Sequence, residues 1–166
     1  MGEGIDYLFC VTSTCGTLRG CADFVRDRGM RTQIIAVDAV GSVIFGGEKQ
    51  KRLIPGHGTA ILPPLFRLGM TERHVLITDL ECIVGCRRLV RREAILAGGS
   101  TGAIVAAVER VRQSIPAQAK CAAIFPDRGE RYLDTIYSDA WVAEHFGEVS
   151  HLWQQGTEKE SCEMVM

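Results

Sequence analysis

The chain has 166 residues, of which 46% are hydrophobic and 23% charged, which is enough apolar sequence to bury one sizeable core and argues against a disordered chain. Its net charge of −1, without a long basic run, argues against a nucleic-acid-binding surface. The apolar stretches are too short to span a membrane, and residues 1–6 do not resemble a signal peptide, so we expect a cytoplasmic protein.

The first predicted element is a strand over 7–11, followed by Ser13-Thr14-Cys15-Gly16-Thr17 and a helix to about Arg28. Backbone N–H groups at a helix start lack intrahelical partners, and small residues admit a phosphate, so residues 13–17 are a candidate anion-binding loop. A plain turn with an N-cap is the alternative. Because a helix N-terminus lowers the pKa of a thiol, Cys15 is also the candidate reactive cysteine.

A strand over 32–37 completes a βαβ unit, and the ligands of parallel sheets sit at the carboxyl ends of strands, where the 13–17 loop lies. Residues 39–60 are rich in glycine and predict a long, functional loop. A third strand over 73–78 precedes a helix over 79–93 that Asp79 can cap. One face of this helix is basic, and we expect it to be solvated: Arg87, Arg88, Arg91 and Arg92.

A second run of small residues, 97–102, leads into an apolar helix over about 103–111 and predicts a second open helix start. A strand over 120–125, two short helical segments to about Phe146, and a loosely held tail from Gly147 follow. This order predicts an α/β fold, with a mostly parallel sheet and helices on both faces.

The chain has seven cysteines, an odd number at irregular intervals. Cys82 and Cys86 stand four apart, without a partner histidine or cysteine pair at zinc-site spacing. We therefore expect free thiols that pack as small hydrophobes, and no metal site.

Four motifs together carry a family resemblance: Ser13-Thr14-Cys15-Gly16-Thr17, Ile54-Pro55-Gly56-His57-Gly58, Ala97-Gly98-Gly99-Ser100-Thr101-Gly102, and Pro126-Asp127-Arg128-Gly129-Glu130-Arg131-Tyr132-Leu133. In this order they resemble the cysteine synthase and cystathionine β-synthase family of fold-type II pyridoxal-phosphate enzymes, over roughly residues 5–146. The resemblance implies the large C-terminal lobe of a tryptophan synthase β-like fold. Residues 1–146 would form the lobe that binds the cofactor phosphate, and 147–166 a flexible tail.

The resemblance implies pyridoxal 5'-phosphate (PLP) as the cofactor. Its phosphate would be held by Ser13, Thr14, Cys15, Gly16 and Thr17. Gly56 would let the backbone approach the cofactor, and Ser100 would hydrogen-bond the ring nitrogen, although by residue type alone Ser100 is equally an N-cap. A serine hydroxyl, unlike a carboxylate, does not hold that nitrogen protonated, which suits β-elimination and replacement.

Two departures from the family pattern are candidates for the substrate side of the site. His57 stands where the family usually has an apolar residue, and Arg128 replaces a small polar residue of the cysteine synthases. The alternatives are a positional role for His57 and surface solvation for Arg128.

Within the family, the motifs most resemble the synthases that join O-phospho-L-serine to L-glutamate on the route to 2,3-diaminopropionate for siderophores. This implies small amino-acid substrates and a homodimer in the complete enzyme. Two alternatives stay open: a cysteine synthase that uses O-acetylserine and sulfide, and a non-catalytic remnant that binds PLP or a full-length homologue. A nucleotide-binding domain is disfavoured, because no Gly-X-Gly-X-X-Gly follows the first strand.

The Schiff-base lysine of the family stands in the first half of its enzymes, and no residue of this chain matches it. The four lysines, 49, 51, 120 and 159, lie in polar sequence that would not activate an amine. We therefore expect a fragment or split subunit without a catalytic residue of its own, completed by an N-terminal-half polypeptide or a full-length homologue. Apolar faces and a sheet edge that the missing part would cover should then be exposed.

Overall fold

Four parallel strands in the order β3-β2-β1-β4 form the centre of the molecule, which confirms the predicted α/β fold. The computed structural model describes residues 4–154. The elements are β1 (Tyr7–Val11), α1 (Gly16–Asp27), β2 (Gln33–Ala39), β3 (Arg73–Ile77), α2 (Asp79–Glu93), α3 (Gly99–Val111), β4 (Cys121–Ala123), α4 (Asp139–Phe146) and α5 (His151–Gln154). Short 3₁₀ turns stand at Arg112–Ser114 and Glu130–Tyr132.

The two faces of the sheet carry separate hydrophobic clusters, because successive side chains of a strand point to opposite sides. Phe9, Ile35 and Val37 belong to the larger cluster, which includes buried residues of α2 and α3. Cys10 and Ala36 point the other way and pack with α1. Burial on both faces explains why β2 reads as an uninterrupted apolar run rather than an alternating one.

Helices α2 and α3 pack very closely because glycines stand at their contact. A Cβ atom on Gly85 would lie 2.2 Å from the carbonyl oxygen of Gly102, and one on Gly102 would lie 1.9 Å from that of Cys82. No side chain fits at either position without moving the helices apart. Helix α3 also begins at Gly99, four residues earlier than predicted, so the small residues 99–102 are its first turn and not a loop before it.

The N-cap of α2 is Thr78 and not Asp79, so the predicted cap was wrong. Thr78 has extended backbone angles and forms a capping box with Glu81, in which each side chain accepts from the other residue's backbone N–H. Asp79, the first helical residue, instead accepts backbone N–H groups of Leu53 at 2.6 Å and Ile54 at 3.3 Å. It thereby ties the long loop 40–72 to the start of α2.

The basic face of α2 is only half solvated, so that prediction holds for Arg91 and Arg92 and was wrong for Arg87 and Arg88. The Arg87 guanidinium lies 2.8 Å from both the Ile136 carbonyl oxygen and the Asp139 carboxylate. Arg88 pairs with a glutamate on α3 and donates to the backbone of the last helix. Long arginine side chains can cover apolar surface while their heads stay paired, and a charge run does not show this.

The C-terminal segment is packed as far as residue 154, which corrects the predicted start of the loose tail at Gly147. Trp153 on α5 is 7% exposed and belongs to the larger hydrophobic cluster, and Arg88 Nη2 donates to the Leu152 carbonyl oxygen at 2.8 Å. Residues 155–166 of the predicted tail lie outside the described residues. Among residues 4–154, no helix is long and apolar enough to cross a membrane.

Candidate active site

The loop between β1 and α1 borders a cavity of about 370 Å³ at the carboxyl end of the sheet. Cys15 is the N-cap of α1, and the first intrahelical bond runs from the Arg19 N–H to the Cys15 carbonyl oxygen. The N–H groups of Gly16, Thr17 and Leu18 therefore have no intrahelical acceptor. Three segments line the cavity, which we call the cup: Val11 with residues 13–17, Gly56, and residues 124–126.

The cup can bind a dianion such as phosphate, because it combines free N–H groups with the positive end of a helix dipole. Thr14 and Thr17 are exposed and Ser13 is half-buried. Within residues 4–154, their three hydroxyls make no hydrogen bond to protein and are available to a ligand. The predicted phosphate loop thus forms as a structural unit, with its donors still uncommitted.

A buried hydrogen-bond network behind the cup holds the loop in place. Thr12 donates its hydroxyl to Asp38 Oδ1 at 2.8 Å, and its carbonyl oxygen accepts the Gly58 N–H at 2.6 Å. Burial raises the pKa of Asp38, while hydrogen bonds from Thr12 and Ser42 oppose that rise. Strand β2, strand β1 and the 54–58 loop therefore meet at one point beneath the cup.

Cys15 is a structural residue and not the reactive thiol that the sequence suggested. It is 2% exposed, with a left-handed φ of 64°, and it packs with Leu18 in the smaller hydrophobic cluster. Burial, followed by the nearby Asp38 charge, raises the pKa of its thiol. The helix dipole favours a thiolate only where solvent reaches the sulfur, and here the side chain points into the core.

Gly56 connects the cup to the second helix start. It lines the cavity, and its φ of 92° is one that a glycine adopts without strain. A Cβ atom there would lie 3.3 Å from the Cβ of Ser100 and 3.4 Å from its hydroxyl oxygen. The structure therefore brings three of the predicted site segments together: the 13–17 loop, Gly56 and Ser100.

Ser100 lies in the first turn of α3 and is held there by the 126–133 motif. An antiparallel bridge joins Ala97 to Arg128, and the Gly98 N–H donates to the Asp127 carbonyl oxygen at 3.2 Å. The Asp127 carboxylate lies 3.5 Å from the Ser100 hydroxyl and accepts the Tyr132 hydroxyl at 2.6 Å. The predicted N-cap role of Ser100 is wrong, since Gly98 is the N-cap of α3.

His57 does not reach the cup. Its ring is 1% exposed, and Nε2 lies 3.4 Å from the thiol sulfur of Cys82 on α2. Burial lowers the pKa of His57 to about 4, so the ring is neutral at pH 7. The substrate-side role is therefore wrong and the positional alternative holds, because a buried neutral ring replaces the family's apolar side chain.

Arg128 also points away from the cup, with 86% of its side chain exposed and its guanidinium 2.8 Å from Glu130. The substrate-side role of Arg128 stays a prediction. Lys49, Lys51 and Lys120 are exposed, and none of them lines the cavity. Lys159 lies outside the described residues.

A larger groove of about 560 Å³ lies at the opposite end of the sheet, between the end of α1 and residues 67–73. It opens at the amino ends of β2 and β3. Ligands of open parallel sheets bind at the carboxyl ends of the strands. The smaller cup, with its free helix N–H groups, is therefore the candidate site.

Comparison with known proteins supports this assignment of the fold. The family model described as pyridoxal-phosphate dependent enzyme matches residues 1–127, which is more than half of the chain. The chain belongs to this family. PLP is the family's cofactor, so a phosphate-binding cup at a helix start is a feature that the family requires.

One curated relative is N-(2-amino-2-carboxyethyl)-L-glutamate synthase from Cupriavidus metallidurans, with 42% identity over 146 residues, 86% of this chain and 43% of the relative. Among solved structures, O-acetylserine dependent cystathionine β-synthase from Helicobacter pylori matches with a TM-score of 0.74 and 29% identity, over 81% of this chain and 44% of that one. O-ureido-L-serine synthase matches with a TM-score of 0.76 and 28% identity, over 86% and 48%. The chain spans less than half the length of these relatives.

Sequence reasoning assigned no role to Asp127, Tyr132, Thr12 or Asp38, although all of them support the site. Asp127 and Tyr132 stand in a motif that carried the family resemblance, so their pattern was visible but their contact with Ser100 was not. Thr12 and Asp38 read as ordinary strand-end residues, and only the register of β1 against β2 brings them together.

Proposed function

We propose that this chain is the cofactor-phosphate lobe of a PLP-dependent β-replacement synthase. The observation that carries the proposal is the cup, in which the uncommitted N–H groups of Gly16 and Thr17 and three free hydroxyls surround a cavity of about 370 Å³. In this proposal Ser13, Thr14, Cys15, Gly16 and Thr17 hold the phosphate, with Cys15 contributing only backbone. Gly56 and Ser100 contact the ring of the cofactor.

The cofactor, when bound, supplies the electron sink that lets a substituent on the β-carbon of an amino acid leave and another replace it. The residues of this chain hold the phosphate and place the ring. The substrate that we propose is an O-activated serine, O-phospho-L-serine, and the second substrate is an amine such as L-glutamate. The 42% identity to N-(2-amino-2-carboxyethyl)-L-glutamate synthase supports this choice.

We propose that the lysine which forms the Schiff base is supplied from outside this chain, by an N-terminal-half polypeptide or a full-length homologue. The exposure of Lys49, Lys51 and Lys120 supports this, because an activated lysine is partly desolvated or lies beside another cation. Exposed apolar residues of the long loop are suited to contact that missing part: Ile61, Leu62, Leu65 and Leu68. Of these, Leu65 lies beside Gly16 of the cup.

Titration of the purified chain with PLP tests the cup directly. We expect saturable binding by absorbance and fluorescence, and a dissociation constant about five-fold higher in Thr17→Val, which keeps the side-chain shape but removes one hydroxyl donor. Val108 on α3 packs against the larger hydrophobic cluster and does not line the cup, so Val108→Thr is the control. Binding that is absent, or that Thr17→Val leaves unchanged, contradicts the proposed site.

Borohydride reduction then tests the origin of the lysine. We expect no trapped adduct on Lys49, Lys51 or Lys120, because none of them lines the cup. A specific adduct on one of these lysines would show that the chain holds its own Schiff-base residue. Joining the chain to the N-terminal half of a relative should restore the visible cofactor band, and amine-versus-sulfide assays on that protein separate the two proposed synthase activities.

A further inference from the structure

The Asp127 carboxylate lies close enough to the Ser100 hydroxyl to orient it. Its Oδ1 lies 3.5 Å from the Ser100 hydroxyl oxygen, and its Oδ2 accepts the Tyr132 hydroxyl at 2.6 Å. The 3.5 Å separation is long for a hydroxyl–carboxylate bond, so it orients the hydroxyl without holding it tightly. Bonds of this kind in a ligand-free site commonly shorten when the ligand is bound.

The space for this carboxylate exists only because residue 98 is a glycine. A Cβ atom on Gly98 would lie 2.0 Å from Asp127 Oδ1 and 2.7 Å from Oδ2. The carboxylate therefore lies directly against the backbone at the N-terminus of α3, where the helix dipole favours negative charge. The Gly98 carbonyl oxygen accepts from Thr101, Gly102 and Cys86, which fixes the turn that carries Ser100.

The hydroxyl protons in this cluster have defined directions. Tyr132 has a pKa raised to about 12, chiefly by its hydrogen bond to Asp127 and then by burial, so it stays protonated and donates. An ionised carboxylate only accepts, so the contact with Ser100 requires the serine to be the donor. The remaining lone pairs of Ser100 are then free to accept a proton from the opposite side.

We propose that Asp127 is a positioning residue for PLP, which acts through Ser100 to hold the proton on the cofactor's ring nitrogen. This inference rests on the proposed function. Ser100 Oγ would accept a hydrogen bond from the ring nitrogen and donate to Asp127 Oδ1, while Tyr132 donates to Asp127 Oδ2. The carboxylate charge, one hydroxyl away from the ring, stabilises the protonated nitrogen.

This arrangement changes the effect of Ser100 on the protonation of the ring nitrogen. A serine alone does not hold the ring nitrogen protonated, and on that basis the sequence predicted a weak electron sink. A serine whose hydroxyl is oriented by the half-buried Asp127 carboxylate transmits part of the carboxylate's effect. The proton affinity of the ring nitrogen is then higher than with a plain serine contact and lower than with a direct aspartate contact.

The test measures the protonation of the bound cofactor and not activity. The chain is loaded with PLP labelled with ¹⁵N in the ring, and the nitrogen resonance is followed with pH. In Asp127→Asn we expect the midpoint pH of nitrogen deprotonation to fall by about one pKa unit, which is a tenfold loss of proton affinity. Glu130→Gln is the matched control, because Glu130 lies in the same segment but pairs with Arg128 at the surface.

A second variant still tests the proposal if Asp127→Asn disturbs folding. Tyr132→Phe keeps the carboxylate but removes one donor to it, so the midpoint should move in the opposite direction to that of Asp127→Asn. In a Ser100→Ala background, Asp127→Asn should cause no further change in the midpoint, since the effect of Asp127 passes through the serine.

The outcomes separate this inference from the proposed function. If PLP binding is absent in the parent chain, both fail. If PLP binds with Thr17-dependent affinity but the midpoint is the same in the parent chain, Asp127→Asn and Tyr132→Phe, the proposed function stands and the role of Asp127 is overturned. Opposite movements of the midpoint in the two variants support it.

Discussion

The two small-residue helix starts of this protein, at 13–17 and at 97–102, look alike in sequence and differ in packing. At the first, a Cβ atom on Gly16 would meet nothing closer than 3.7 Å. At the second, Cβ atoms on Gly98, Gly99 and Gly102 would lie 2.0, 2.2 and 1.9 Å from their nearest atoms. The first start opens to a ligand, and the second is closed by protein.

The difference shows that small residues at a helix start have two separate physical uses. In the cup they leave room for an anion and keep N–H groups free. At the start of α3 they allow close contact with helix α2, with the Ile54 side chain and with the Asp127 carboxylate. Ser100 at the second start lies beside Gly56 of the cup, and the glycines around it serve packing.

The largest expected effect comes from adding one methyl group at the second helix start. Gly102→Ala places a Cβ atom 1.9 Å from the Cys82 carbonyl oxygen and 2.6 Å from the Cys86 sulfur, so α2 and α3 must separate. We expect the free energy of unfolding to fall by about 3 kcal/mol or more. Urea denaturation measures it.

Gly16→Ala is the matched change in the cup, where the nearest atoms stand at 3.7 and 3.8 Å. It should alter the free energy of unfolding by less than about 1 kcal/mol, because alanine suits the first turn of a helix. Equal losses from the two variants would show that both starts are packed alike.

His57 gives the next largest effect, and it reports on the loop that joins the two starts. Its folded pKa of about 4 is below its unfolded value, so the unfolded chain binds a proton more readily as the pH falls. The stabilisation is complete above the ordinary pKa of about 6.5 and is lost as the pH falls toward 4. From pH 7 to pH 4 this one group should cost about 2–3 kcal/mol of the free energy of unfolding.

Denaturation of the parent chain and His57→Gln at both pH values isolates this contribution. Glutamine does not titrate, so the pH dependence of the variant should be flatter by the stated amount. The carboxylates titrate identically in both proteins and cancel from the difference. Parallel pH profiles would mean that the ring is protonated inside the folded protein.

The smallest effect concerns two residues with left-handed backbone angles, one near each helix start. Ala94, the C-cap of α2, has a φ of 55° and an exposed side chain, so Ala94→Gly should stabilise the protein by about 0.5–1 kcal/mol. Cys15 has a similar φ of 64°, but Cys15→Gly also removes a buried thiol. Its gain should therefore be smaller, and thermal denaturation of the two variants makes the comparison.

Most of the fold was predictable because the strands and helices carry strong local patterns. The continuous apolar run of β2 specifies a buried strand. The helical spacing of apolar residues around Leu18 in α1, and around Ile83 and Cys86 in α2, specifies each helix and its buried face. The order of motifs then predicted the family. Element ends were less certain, as at Thr78, because two neighbouring residues of the same capping type compete for one position.

The candidate site was predictable only in part, since local sequence does not show which side chains are buried by distant segments. Cys15 and His57 were placed correctly in their loops, but their burial depends on residues of other elements. Cys15 belongs to a cluster with Ile34 and Ala36 of β2, and His57 contacts Cys82 of α2. The link between Asp127 and Ser100 likewise depends on the pairing of two segments that are 27 residues apart.

The outer edge of β3 carries one further consequence. Ile77 gives its carbonyl oxygen to Val40, on the side of β2, whereas the carbonyl oxygen of Leu76 points outward and accepts a hydrogen bond from Arg110. Arg110 is also held by Glu81, so a guanidinium occupies this edge where a further strand would pair. A strand from another chain can therefore not pair along β3 without displacing this guanidinium from Leu76 and Glu81.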